Sequence, residues 1–154
     1  MTLEEEIKST KFESELHKAQ INILFSAAWI KGKLTSFLKQ HQLTHEQFNV
    51  LRILRGQSPD AVCMMDIASR MLERNSNVTR IVEKLLAKDW AAREKSSTDK
   101  REVKISITEA GLTLLSKIDG LVKREKVHHA NLSETEAQLL NALLDKMRDT
   151  LAEI

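Results

Sequence analysis

With one cysteine, one proline and four glycines among 154 residues, the chain has few of the residues that staple or break a fold. The single thiol, Cys63, excludes an internal disulfide framework and any multi-cysteine zinc site. Scarce proline and glycine leave room for long uninterrupted helices. No apolar run approaches the ~20 residues of a membrane span, and the opening MTLEEEIKST is acidic and polar, unlike a secretory signal. A cytoplasmic protein with no membrane contact is expected. A glycine-rich phosphate loop, a nucleophile motif and a catalytic carboxylate pair are all missing, which argues against an enzyme, and no cofactor is implied.

Hydrophobic residues make up 42% of the chain and charged residues 30%, enough of the former for a core and against intrinsic disorder. The length fits one compact domain, or a small domain elaborated by long helices. Net charge is +2, yet it is unevenly spread. Between Ser69 and Lys104 ten basic residues face six acidic ones, a local excess of +4 that leaves −2 elsewhere. That sign fits a nucleic-acid partner, although such a run also describes a solvated face.

Apolar residues recur at helical spacing from about Thr10 to Gln40, with Gly32 as a soft point. Thr44-His-Glu-Gln47 is a capping box opening a helix whose apolar set is Phe48, Val50, Leu51, Ile53 and Leu54, and Gly56 is expected to stop it. After the proline loop, a very short strand from Ala61 leads into a helix ending near Leu72, with Ile67, Ala68, Met71 and Leu72 inward. A polar turn, Glu73-Arg74-Asn75, precedes a second helix from about Ser76 to Lys88, capped by Asn75 or Ser76. Two short helices joined by a tight turn outline a helix-turn-helix.

The second helix sharpens that outline. Val78, Ile81, Val82, Leu85 and Leu86 make an inward stripe, and Ser76, Asn77, Thr79, Arg80, Glu83 and Lys84 lie opposite. In a major groove, the N-terminal residues of such a helix meet base edges while nearby cations hold phosphates. Arg80 suits guanine and Asn77 adenine; the alternative is a solvated helix. Two strand-like runs follow, Trp90–Lys95 and Glu102–Ile107, the second alternating with Val103, Ile105 and Ile107 on one face. Between them Ser96-Ser-Thr-Asp-Lys-Arg101 forms a charged hairpin tip able to enter the minor groove, with Asp99 placed to hold Arg101. Thr108-Glu-Ala-Gly111 opens a helix bearing Leu112, Leu115, Ile118, Leu121 and Val122 that runs toward His128. Ser133-Glu-Thr-Glu136 caps a last helix carrying Leu139, Leu140, Leu143, Leu144, Met147, Leu151 and Ile154.

With these residues in hand, the chain resembles the MarR family of bacterial winged helix-turn-helix transcription regulators. The matching residues are Leu43-Thr-His-Glu-Gln47 with Val50-Leu51, Asp66-Ile-Ala68, Ser76-Asn-Val-Thr-Arg80-Ile-Val with Leu85, and above all Arg93-x5-Asp99-x-Arg101-x6-Thr108-x2-Gly111. The resemblance implies a mostly α (α+β) fold, one domain over 1–154 with a winged helix-turn-helix core at about 44–111. Regions 1–43 and 112–154 would be helical dimerisation regions. It implies a homodimer on pseudo-palindromic double-stranded DNA, acting as a repressor or activator, most simply a repressor released by a small molecule. Ser76, Asn77, Thr79 and Arg80 would face bases, Arg74 and Lys84 phosphates, and Lys100 and Arg101 would serve the wing, supported by Asp99. A helical protein–protein adaptor with a solvated basic face is the competing reading.

Two departures stand out. Asp89 occupies a position where the family commonly has glycine, and Asp tolerates the left-handed conformation better than most residues. Cys63 stands near where the family often has Ser or Thr capping the short helix; a thiol there is either a redox sensor or a buried, inert side chain. His17, His41, His45, His128 and His129 are scattered, with His41 and His45 separated by Leu43-Thr44, so no metal site is expected. Many relatives bind small aromatic ligands between dimer helices and winged domain. Phe25, Trp29, Phe37 and Phe48 are the candidate lining, and each is equally suited to a core.

Overall fold

The structure, a computed structural model, describes residues 1–95, 103–124 and 131–149. In chain order the elements are α1 (Leu3–Ile7), α2 (Glu15–Lys39), α3 (His45–Gln57), β1 (Val62–Cys63), α4 (Met64–Arg70), α5 (Val78–Leu86), β2 (Ala91–Lys95), β3 (Val103–Ile107), α6 (Glu109–Arg124) and α7 (Glu134–Asp149). The strands form one antiparallel sheet in the order β1-β3-β2, with Val62 opposite Ile105 and Ala91 opposite Ile107. A mostly helical chain carrying a small sheet is the fold class expected.

The core gathers around α3. Val50 and Leu51 are fully buried and Leu54 nearly so, and they join Leu38 of α2, Ile67 of α4, Leu85 of α5, Ile105 of β3, and Leu115 and Ile118 of α6. The start of α3 is fixed by the expected capping box: the Thr44 side chain accepts from the Gln47 N–H at 3.2 Å, and Gln47 Oε1 accepts from the Thr44 N–H at 3.1 Å. Gln47 is buried, and this bond satisfies its carbonyl. An ion pair of 2.6 Å, Arg55 to Asp119, ties α3 to α6.

Several expectations are corrected. A separate short helix, α1, precedes the long one, and α2 starts at Glu15 because the Ser14 hydroxyl caps it, accepting from the His17 N–H at 3.1 Å. Gly32 lies inside an unbroken α2, where a Cβ would meet open space. Gly56 does not stop α3, which continues to Gln57; Ser58 leaves the helix with ψ 135°, since the ring of Pro59 disfavours α geometry in the residue before it. Leu72 is 75% exposed rather than inward, because α4 ends at Arg70. The chain beyond Arg124, toward His128 and His129, lies outside the described residues, as do Leu151 and Ile154.

The junction between α5, the sheet and α6 is the most tightly specified part. Helix α5 ends in a Schellman arrangement, with the Trp90 N–H donating to Leu85 O at 3.0 Å and the Asp89 N–H to Leu86 O at 3.0 Å. Asp89 takes the left-handed conformation, φ 57°, that its position demands. The Thr108 hydroxyl donates to Asp89 O at 2.6 Å and accepts from the Gly111 N–H at 3.1 Å. Gly111 packs so closely that a Cβ would lie 2.3 Å from Trp90 O and 2.8 Å from Ile107 Cγ1. Thus Gly111→Ala should destabilise the protein by at least ~1–3 kcal/mol, the usual cost of overpacking. Urea denaturation measures it, and a variant as stable as the parent would show that the junction yields.

Candidate nucleic-acid interface

Helix α5 is held by its apolar stripe. Val78, Val82 and Leu85 are buried, and Ile81 and Leu86 pack partly buried against the core. That burial turns Thr79, Arg80, Glu83 and Lys84 outward, as the helical period predicts. The cap lies beyond both residues considered from sequence, Asn75 and Ser76: it is Asn77, its Oδ1 accepting from the Arg80 N–H at 3.0 Å. The preceding turn is anchored to α3 by the Leu72 N–H, which donates to Asn49 Oδ1 at 3.0 Å. Met71, buried beside that bond in sequence, plugs the turn into the core.

Electrostatics on the outward face follow from one pairing that sequence spacing could not reveal. Glu83 would repel phosphates, but it is ion-paired with Arg93 of β2. Arg80 and Lys84, one helical turn apart, are left as the cations on this stretch of α5. At the C-terminal side, Lys88 donates to Gln42 O at 2.6 Å and lies over the Trp90 ring, 4.5 Å from its centroid. Lys88 is therefore engaged in structure.

A cleft of about 400 Å³ runs beside the N-terminal turn of α5, and Ser76, Asn77, Arg80 and Lys84 line it together with Glu46 and Glu73. Four of the six residues assigned to bases and phosphates thus come together. Arg74 is exposed in the turn and Thr79 on the helix face. Lys100, Arg101 and Asp99 lie outside the described residues; the paired strands β2 and β3 flank them, Lys95 opposite Val103.

The aromatic set divides. Phe37 and Phe48 are core side chains, whereas Trp29 is half exposed on α2 with the Lys33 ammonium 3.9 Å from its ring centroid. None of the four lines the cleft beside α5. Cys63 caps α4, its sulfur accepting from the Asp66 N–H at 3.4 Å, and it is partly exposed rather than buried. A sulfur acceptor makes this a weaker cap than a hydroxyl would.

Sequence reasoning also missed a polar link between α2 and the turn. Lys31 Nζ lies 2.5 Å from Glu73 Oε1, and His45 Nδ1 lies 3.9 Å from the same oxygen. The Glu73 carboxylate raises the Lys31 pKa above its ordinary value. Burial pushes the Glu46 carboxyl up, but hydrogen bonds from its own backbone and from Thr44, with Lys31 and His45 nearby, bring it below the usual range. Only the 42-residue separation of Lys31 and Glu73 hid the pair.

Helices α4 and α5, joined through the turn over residues 71–77 and followed by the antiparallel β2–β3 pair, define a winged helix-turn-helix. A family model described as MarR family matches residues 43–103. The chain is 33% identical over 86 residues to the uncharacterized HTH-type transcriptional regulator YpoP of Bacillus subtilis, covering 56% of this chain and 59% of that protein. With the HTH-type transcriptional regulator PecS of Dickeya dadantii it shares 27% over 124 residues, 79% of this chain and 75% of the other. Its fold matches a mutant MarR from E. coli complexed with operator DNA, with a TM-score of 0.77 at 23% identity, over 90% of this chain and 99% of that one. Over residues 43–103 the chain is thus similar to the MarR family, and its fold is that of winged helix-turn-helix proteins.

The cap of α5 is directly testable. Asn77→Ala should cost ~1 kcal/mol of stability in urea denaturation, and Asn77→Ser should cost markedly less because its hydroxyl can take over the bond. Equal losses from both variants would contradict the capping role.

Proposed function

We propose that the protein is a homodimeric, sequence-specific DNA-binding regulator that represses transcription from a pseudo-palindromic operator. The observation that carries this reading is the outward face of α5, where Arg80 and Lys84 stand beside the small polar residues Ser76 and Thr79 while Glu83 is paired with Arg93. Ser76, Asn77, Thr79 and Arg80 meet base edges in the major groove, and Arg74 and Lys84 hold phosphates. Asn77 spends its carbonyl on the α5 cap, so its amide N–H groups are the part offered to DNA, as donors to an acceptor such as adenine N7. Lys100 and Arg101 serve the minor groove and Asp99 supports Arg101, a reading that rests on their sequence pattern. That a neighbour of the same fold, a mutant MarR from E. coli, is complexed with operator DNA supports DNA as the partner.

The dimer is formed by the terminal regions, 1–43 and 112–154, around the DNA-binding core at about 44–111. Support comes from apolar side chains left uncovered in one chain: Leu16 and Leu24 on α2, and Leu139 and Leu143 on α7, all more than half exposed. Among the described residues α7 buries none of its own. A second copy covering these faces would remove contiguous apolar surface from water. A small aromatic effector bound against the Phe25–Trp29 side of α2 would release the operator. The protein acts in the cytoplasm and catalyses no reaction; among its described residues no helix is long and apolar enough to cross a membrane.

Fluorescence anisotropy with duplex DNA across a salt series tests the reading. Affinity should fall linearly on a log–log plot as salt rises. Arg80→Ala should weaken specific binding by ~1–3 kcal/mol, roughly 5- to 150-fold, with little change in stability because the side chain is exposed. Absent or salt-insensitive binding would favour the helical adaptor.

A further inference from the structure

We propose that the seam between α3 and the turn ahead of α5 binds a divalent transition-metal cation through His45, Glu46 and Glu73. Each side chain offers one ligand atom, and the three atoms lie within 4.8 Å of one another. The His45 Nδ1 to Glu73 Oε1 separation, 3.9 Å, is close to the roughly 3.3 Å between ligands that bonds of ~2.0–2.1 Å give around tetrahedral zinc. Closing the remainder requires only side-chain rotation, since the Glu73 side chain is 43% exposed.

The backbones that carry these donors are already fixed against each other. The Thr44 capping box sets the first turn of α3, which holds His45 and Glu46. The Asn49 to Leu72 bond pins the turn that holds Glu73. Glu73 is also approached from two directions, by the Lys31 ammonium at 2.5 Å and by the His45 imidazole. Lys31 therefore occupies the place of a cation and would compete with a metal ion for it.

One imidazole nitrogen and two carboxylates make a mixed N/O donor set, which favours Zn²⁺, Co²⁺ or Ni²⁺ over the all-oxygen preference of Mg²⁺ and Ca²⁺. Two carboxylates balance the ion's charge, and three protein donors leave a position for water. Glu46 and Glu73 also line the cleft shared with Asn77 and Arg80, so the ion would sit beside the turn that opens α5. Binding would draw Glu73 from Lys31 of α2 toward α3, linking metal occupancy to the position of that turn.

Titration of the full chain with Co²⁺, read by its visible absorption and by calorimetry, tests the site, with Zn²⁺ as competitor. One saturable Co²⁺ per chain is expected, displaced by Zn²⁺ and insensitive to excess Mg²⁺. Glu73→Gln, Glu46→Gln and His45→Ala should each weaken binding by more than about tenfold, the lower end of what losing even an outer-shell partner costs a metal site. Lys31→Met should act in the opposite direction and tighten binding severalfold, because it removes the resident cation. Thermal melts establish which variants are folded, and the two glutamine variants carry the comparison if His45→Ala is not. Absence of saturable Co²⁺ binding, or binding unchanged in Glu73→Gln and Glu46→Gln, would overturn the proposal.

Discussion

Three buried side chains, Val78, Val82 and Leu85, decide which way α5 faces, and most of what the molecule can do depends on that orientation. They are inserted into a core built around Leu51 and Leu54 of α3 and closed by Ile105, Leu115 and Ile118. Burying each such side chain contributes ~1.5–3 kcal/mol, so rotating α5 to another face would forfeit several kcal/mol. The polar residues on the far side are therefore presented by packing rather than by their own interactions. The ends of the helix are fixed separately, by Asn77 at one and by the Asp89–Thr108–Gly111 junction at the other.

That junction gives physical content to the motif that most resembles the family. Thr108 joins the exit of α5 to the entrance of α6 through one hydroxyl, used once as donor and once as acceptor. Gly111 lets α6 approach the Trp90 carbonyl more closely than any side chain would permit. The hairpin that starts at Ala91 therefore leaves α5 at a defined angle, and the chain returns through Ile107 to the same point.

What was legible in the sequence was local or periodic. Capping boxes at Thr44 and Ser133, the stripe on α5 and the left-handed Asp89 each depend on a few neighbouring residues, and each is present. Boundaries were harder: Gly32 and Gly56 are tolerated inside helices because a single glycine costs only about 1 kcal/mol of helix propensity. The cap of α5 lies at Asn77, whose Oδ1 takes the Arg80 N–H, a choice among neighbouring polar residues that spacing alone does not express. Pairings between distant segments were invisible, among them Lys31 with Glu73 and Glu83 with Arg93. The second of these changes the charge of the candidate interface; the first lies at the edge of the proposed metal site.

In the proposed homodimer a second copy covers the exposed apolar faces of α2 and α7. Each copy then offers one recognition helix, and the spacing between them is set by the dimer rather than by the DNA-binding core. Selection of bound duplexes from a random pool measures this most directly. The account predicts an inverted repeat whose half-site centres lie about one helical turn, ~34–36 Å, apart. Recovery of a single unrepeated motif, or of no enriched sequence, would contradict it.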